Sequence, residues 1–544
     1  MSSHDNLSTR PISMGSNGMV TTAHPLASIS GIKILSQGGN AFDAAVAVAS
    51  TLNVVEPYMS GIGGIGLALI YVKKENRFRC LNFSGKAPEN ATLEKFTPET
   101  KSLGILSSLI PGNVSGWLTL HETYGTMDLA NLFSSAINYA QNGFPLTYLN
   151  SQFIQKSKDR VSPFPSGSIL LNKDKSPPKP GSILKMPQLA ESLKKIAQYG
   201  KDIFYKGELA EQIVAGNQQL GGIFTLDDLY HYESEWQEPI SINYHGYDIL
   251  TTPPNSSGFQ ILETLQILEY LLDFNNPPQQ IENLHKYIES VKLATTDRIK
   301  YAGDPNYVKI PLSGLLSKGY AKTQRTRINN KASIVSGEHF SNKVPLGSLL
   351  AGSPENYSSG MTTHFSIADK EGNVVSVTQT LGGGFGCGAA MGDTGIFLNN
   401  MASWFDLDQT SPNSIGPNKK VDFVVAPVHV KKGNEFLLSI GTPGSWGILQ
   451  TTPQIITNIL NYEMNIQQAI ESPRFKVSSK KHLQMENRFN NKTIQKLIEL
   501  GHSIEVIDAW SPIVGGAQGI KLDKKNNVYY GGADPRRDGI ALGW

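Results

Sequence analysis

Only two cysteines occur in 544 residues, Cys80 and Cys387, far apart and outside any CxxC spacing. That excludes a disulfide framework and a zinc–thiolate site. The eleven histidines form no HExxH or comparable pair, so no dedicated metal site is expected. Neither sign of charge is in excess: 48 basic residues stand against 46 acidic ones, a formal net charge of +2. Such a balance leaves no electrostatic footprint for nucleic acid or an anionic membrane and points to a small-molecule or peptide substrate. No apolar run is long enough to span a bilayer. The opening residues MSSHDNLSTRPISMGSNG lack the cationic start and apolar run of a secretory signal, so the expected compartment is the cytoplasm. What is present is an ordinary globular composition, 39% hydrophobic and 17% charged, enough for one large core or several smaller ones.

Hydrophobic periodicity predicts a short strand at 19–23, a helix at 27–36 ended by Gly38-Gly39, and a second helix at 41–55 capped by Asn40. The second is apolar on nearly every face and belongs between layers. Gly61 to Gly66, GIGGIG, matches GxGxxG, but a helix precedes it and a strand at 67–72 follows. A phosphate-binding loop needs the reverse order, so close backbone packing is the expected use of these glycines. Further helices are expected after Pro111-Gly112, from Asp128 to Ala140, and at 186–199, 209–215, 259–272, 284–302, 448–462, 466–471 and 493–500. Strands are expected at 421–431, 435–440 and 528–530, and residues 162–185 and 325–360 read as exposed connections. Mixed strands and buried helices on both sides imply a layered α/β or α+β architecture.

The most informative stretch is TTHFSIADKEGNVVSVTQTLGGGFGCG, from Thr362. Two strand-like runs flank Lys370-Glu371-Gly372, which fits a three-residue hairpin loop with Gly372 left-handed. Pairing about Glu371 sets Thr362 opposite Thr380. Phe365, Ile367, Val375 and Val377 then share one face, and Thr362, His364, Ser366, Ser376, Thr378 and Thr380 the other. If the Met361–Thr362 bond were cut by the Thr362 hydroxyl, the freed α-amine would be a base on the same residue as the nucleophile. Thr380 would orient that hydroxyl. Acyl transfer also needs oxyanion donors, and the N–H groups of Gly444 and Ser445 stand at a strand-to-helix junction in GTPGSW.

Taken in order, GGNAFDAAVAV from Gly38, KAPENAT from Lys86, PGNVSGW from Pro111, FYKGELAE from Phe204, PPNSSG from Pro253, the TTHFS hairpin, GIFLNN from Gly395, GTPGS from Gly441 and ADPRRDG from Ala533 resemble the γ-glutamyltransferase (glutathione hydrolase) family of N-terminal-nucleophile hydrolases. The resemblance covers nearly the whole chain. It implies a four-layer αββα sandwich and self-cleavage at Met361–Thr362 into 1–361 and 362–544, which stay together. It implies no metal or organic cofactor. Thr362 matches the nucleophile, Thr380 the threonine that steadies it, and Gly444 with Ser445 the oxyanion pair; Thr363 would face away.

The recognition residues differ. Ser84 stands where the family's R-x-x-A-P arginine binds the glutamyl α-carboxylate, with Lys86 a nearby point charge. Gly382 replaces an asparagine, Trp404 replaces the acid that pairs with the substrate α-ammonium, and Met401 replaces a polar neighbour, with Asp406 close by. Phe423-Val424 stands where a serine pair is expected. The expected activity is an autoprocessing threonine amide hydrolase or acyltransferase, taking an amide or γ-glutamyl peptide and passing the acyl group to water or an amine. The alternatives are an amidase for a different acyl group, like oxamate hydrolase or cephalosporin acylase, and an uncut, non-catalytic binding protein.

Overall fold

The computed structural model describes residues 8–333, 361–479 and 481–544. Two seven-stranded antiparallel sheets form its centre. Their strands, in chain order, are β1 (Ser13–Gly15), β2 (Gly18–Thr22), β3 (Ile65–Val72), β4 (Arg77–Phe83), β5 (Glu235–Gln237), β6 (Ile240–Tyr244), β7 (Tyr247–Thr251), β8 (Met361–Asp369), β9 (Val374–Gly382), β10 (Val428–Lys432), β11 (Glu435–Gly441), β12 (Gln518–Asp523), β13 (Val528–Ala533) and β14 (Ile540–Gly543). One sheet runs β14-β2-β8-β9-β3-β4-β5, the other β1-β13-β12-β11-β10-β7-β6.

Three apolar layers account for their stacking. Val20, Ala68, Ile70, Phe365, Ile367, Val375 and Val377 pack on helices Pro25–Ser36, Ala41–Val55, Asn113–Tyr124, Leu129–Asn142 and Pro187–Tyr199. Ile249, Val428, Val430, Leu438 and Ile440 pack on helices Phe259–Leu268, Ile448–Leu460 and Ile466–Glu471. Met19, Tyr71, Phe78, Leu250, Phe436, Ile520 and Tyr529 meet between the sheets. The architecture is a four-layer αββα sandwich. All fifteen residues of Ala41–Val55 are buried, and Asn40 closes its start in a capping box with Asp43. Among the described residues no helix is long and apolar enough to cross a membrane.

The glycines of 61–66 serve packing. A Cβ at Gly63 would strike the Phe397 carbonyl, one at Gly64 the Thr380 carbonyl, and one at Gly66 the Phe83 ring. Strand 421–431 needs correction: the ladder covers only Val428–Lys432. Pro427 has no N–H to give it, so the apolar residues before it run as buried irregular chain, with Phe423 bridged to Ser256. The helix expected over 259–272 stops at Leu268. Of the stretch 325–360, residues 334–360 lie outside the described residues.

Candidate active site

The hairpin has the expected register. Thr362 pairs with Thr380, His364 with Thr378 and Ser366 with Ser376, and Gly372 holds φ +91° in the loop. Its polar face lies between the sheets. Ser366 Oγ meets Ser439 Oγ at 2.9 Å, and the His364 ring lies against Gly441, where a Cβ would collide with it. These two contacts run antiparallel across the sheets, so the Thr362 end of β8 extends toward the turn that follows Gly441. Burial pushes His364 down to about 3, so the ring is neutral; it bonds Thr378 Oγ1 at 2.7 Å.

A bulge separates Met361 from Thr362, and there a relay of hydroxyls converges. Thr362 Oγ1 donates to Thr380 Oγ1 at 3.2 Å, Gly382 N–H donates to the same oxygen at 2.8 Å, and Thr380 Oγ1 donates to the Met361 carbonyl at 2.6 Å. Thr380 thereby touches both the Thr362 hydroxyl and the carbonyl of the peptide bond that precedes Thr362. Thr363 faces away, as expected, and donates at 2.8 Å to Glu56, a carboxyl pushed up to about 7 by burial.

At the opposing turn Gly444 has φ +134° and Ser445 φ +54°, the latter uncommon for a residue with a Cβ. The turn continues as a one-turn 3-10 helix, Ser445–Gly447, into Ile448–Leu460. No acceptor among the described residues takes the N–H of Gly444 or Ser445. Two devices hold this turn. Arg298 lies 3.8 Å over the Trp446 ring and pairs with Asp422 at 2.6 Å. Behind Thr442, the ADPRRDG motif supplies Asp534, which pairs with Arg474 and Arg536, while Arg536 also pairs with Glu486 at 2.6 Å. Those two guanidinium groups hold the Asp534 carboxyl well below the usual range despite its burial. Arg474 in turn bonds the Val514 carbonyl, and Gly516 N–H donates to Thr442 Oγ1 at 2.9 Å.

The recognition candidates divide. Gly382 sits beside Thr380 at φ +93°, and a Cβ there would strike Asn400 Oδ1 and approach the Met401 sulfur. Trp404 and Phe423 lie 5.9 Å apart between ring centres, and Trp404 reaches Trp446 at 5.6 Å, so both belong to the aromatic wall next to Ser445. Ser84 is buried behind that wall and accepts from Asn255 Nδ2 at 3.1 Å, while Phe423 N–H donates to the Asn255 carbonyl. Asp406 accepts from Ser411 Oγ at 2.5 Å and builds its own loop. Lys86 forms no ion pair among the described residues. Arg298, Asp422 and Glu56 escape sequence reading because only the fold brings them near. The one metal-like cluster among the described residues, His285, Glu289 and His502, is internally satisfied: Lys292 bonds Glu289 at 2.8 Å and His502 at 3.3 Å, and His285 bonds the Asn329 carbonyl.

The sequence profile described as gamma-glutamyltranspeptidase matches residues 27–544. The chain belongs to the γ-glutamyltranspeptidase family. Over 539 residues it is 37% identical to the glutathione hydrolase-like YwrD proenzyme of Bacillus subtilis (strain 168), covering 97% of this chain and 99% of that one. It is 33% identical to the acylase ACY 1 proenzyme of Pseudomonas sp. (strain SE83), covering 97% and 94%. The solved cephalosporin acylase from Bacillus halodurans superposes with a TM-score of 0.90 at 31% identity, covering 100% of this chain and 99% of that chain. This γ-glutamyltranspeptidase family member is therefore an enzyme with the N-terminal-nucleophile hydrolase fold.

Proposed function

We propose that the chain cuts its own Met361–Thr362 bond and then works as an N-terminal-threonine amide hydrolase or acyltransferase. The observation that carries this is the relay from Thr362 through Thr380 to the Met361 carbonyl, and the unpaired N–H groups of Gly444 and Ser445 are the oxyanion donors assigned to it. In self-cleavage, Thr362 Oγ adds to the Met361 carbonyl carbon while Thr380 donates to its oxygen. The C–N bond breaks, the nitrogen takes the proton, and an ester joins Met361 to Thr362 Oγ. Water hydrolyses that ester, leaving a Met361 carboxylate and a Thr362 α-amine. In turnover the α-amine takes the Oγ proton, Oγ adds to the substrate amide, and the N–H groups of Gly444 and Ser445 hold the oxyanion. The leaving amine departs with the proton, and water or an acceptor amine releases the acyl group. The residues 1–361 remain as the partner of 362–544, since β8 and β9 sit within a sheet completed by β2, β3 and β4.

The acyl group is one without a free α-ammonium. Gly382 and Trp404 offer no charge to pair with one, and a closed pocket that leaves a charge unpaired loses several kcal/mol. The test compares γ-glutamyl-p-nitroanilide with valeryl-p-nitroanilide and follows the first turnover. A burst of nitroaniline, with the acyl mass on the chain starting at Thr362 and valeryl preferred, is expected. Faster γ-glutamyl release would overturn the substrate reading, and absence of any Thr362 adduct would overturn the mechanism.

A further inference from the structure

Lys476 lies on the strand Phe475–Ser479, whose Phe475 and Val477 point into an apolar cluster with Leu284 and Ile288. The pleat turns Lys476 the other way, toward the turn that follows Gly444. Its Cδ and Cε lie 3.5 and 3.9 Å from the position a Cβ would take at Gly447. The residue is 2% exposed. Among the described residues its ammonium has neither a hydrogen-bond acceptor nor a carboxylate. Beside it begins the thirteen-residue helix Ile448–Leu460, whose positive end disfavours a cation. Within the same turn the Ser445 hydroxyl is also buried without a partner.

A buried ammonium beside Gly447 and an idle hydroxyl at Ser445 share one turn, and neither has an acidic partner among the described residues, an arrangement that costs free energy until an anion arrives. We propose that Lys476, with Ser445 Oγ, forms a binding site for a carboxylate of the amide substrate. The site lies on the oxyanion side of Thr362, away from Ser84, whose hydroxyl is taken by Asn255. It rests on the proposed amide chemistry at Thr362 and narrows it: the substrate carries a carboxylate, on either the acyl or the amine half. A lysine binds it as a point charge, with the serine hydroxyl setting direction.

The test uses the mature protein and its Lys476→Met variant, which keeps the packing volume. Glutaryl-p-nitroanilide against valeryl-p-nitroanilide places the carboxylate on the acyl half, and valeryl-glycine against valeryl-glycinamide places it on the amine half. The variant is expected to raise KM for one acidic substrate about tenfold or more, as for loss of a charge-assisted hydrogen bond, and leave its neutral mate within about twofold. The pair that responds identifies the half. Calorimetric titration with glutarate reads binding without turnover and is expected to weaken about tenfold in the variant. Equal effects on charged and neutral substrates, or no change in KM together with unchanged or absent glutarate binding, would overturn the site. Continued valeryl turnover by the variant separates that outcome from failure of the chemistry at Thr362.

Discussion

Replacing Thr380 by valine removes one oxygen and keeps the shape. Val suits an interior strand position as well as Thr does, and the apolar packing of β9 on the other face is untouched. The lost oxygen, however, serves three neighbours: it accepts from Thr362 Oγ1 and Gly382 N–H and donates to the Met361 carbonyl. Two buried donors left unpaired cost about 1–3 kcal/mol each. Loss of the donor to the scissile carbonyl resembles removal of one oxyanion-hole hydrogen bond, about 3–4 kcal/mol, or a slowing of about 10²–10³-fold. Self-cleavage of Thr380→Val, followed as a time course by intact-mass spectrometry, should slow by about that factor while the thermal transition stays cooperative and falls by only a few degrees. Thr380→Ser should recover most of the rate. Cleavage of the valine variant at the wild-type rate would refute the relay.

Three further outcomes follow from the buried network around the site. Asp534→Asn leaves Arg474 and Arg536 short of a buried counter-charge, so stability should fall by about 3–5 kcal/mol, read as a clear drop in Tm; an unchanged Tm would show that the motif does not brace the turn. Glu56→Gln should add up to about 3 kcal/mol at pH 8 and little at pH 5. The sign follows from a carboxyl raised to about 7: between its unfolded value and 7 the native state binds more protons, so wild-type stability falls as pH rises through that window, and the amide has no such dependence. Thermal melts against pH check it, and a gain that is equal at both pH values would contradict it. Gly382→Asn, which restores the family's residue, should not confer γ-glutamyl activity and should cost about 1–3 kcal/mol, because φ is +93° and Asn400 already fills the space. Rapid γ-glutamyl-p-nitroanilide release by that variant would reverse the assignment.

The hairpin was legible because its information is local. Gly372 sets the turn, period-two alternation sets the faces, and together they fix Thr362 against Thr380 without any long-range knowledge. The helix at Ala41–Val55 was legible for the same reason, through an N-cap and an unbroken apolar run. The residues that hold the opposing turn were not. Arg298 stands 148 positions before Trp446 in the chain, and no periodicity links them; only the approach of two helices to one turn does. Asp534 and Arg536 read as parts of one motif, but Arg474, which pairs with Asp534, and Glu486, which pairs with Arg536, lie at a separate strand pair. Residues 421–427 misled because a buried run that is apolar but for Asp422 looks like a strand until Pro427 interrupts the ladder. The recognition positions showed which residues differ, while the aromatic contact of Trp404 with Trp446 emerged only from packing.

The most direct measurement is the mass and N-terminal sequence of the purified protein after incubation, beside its Thr362→Ala variant. The account predicts two chains in the wild type, the second beginning Thr362-Thr363-His364, and one uncut chain in the variant. A wild-type chain that stays whole, or a variant that is still cut at residue 361, would contradict it.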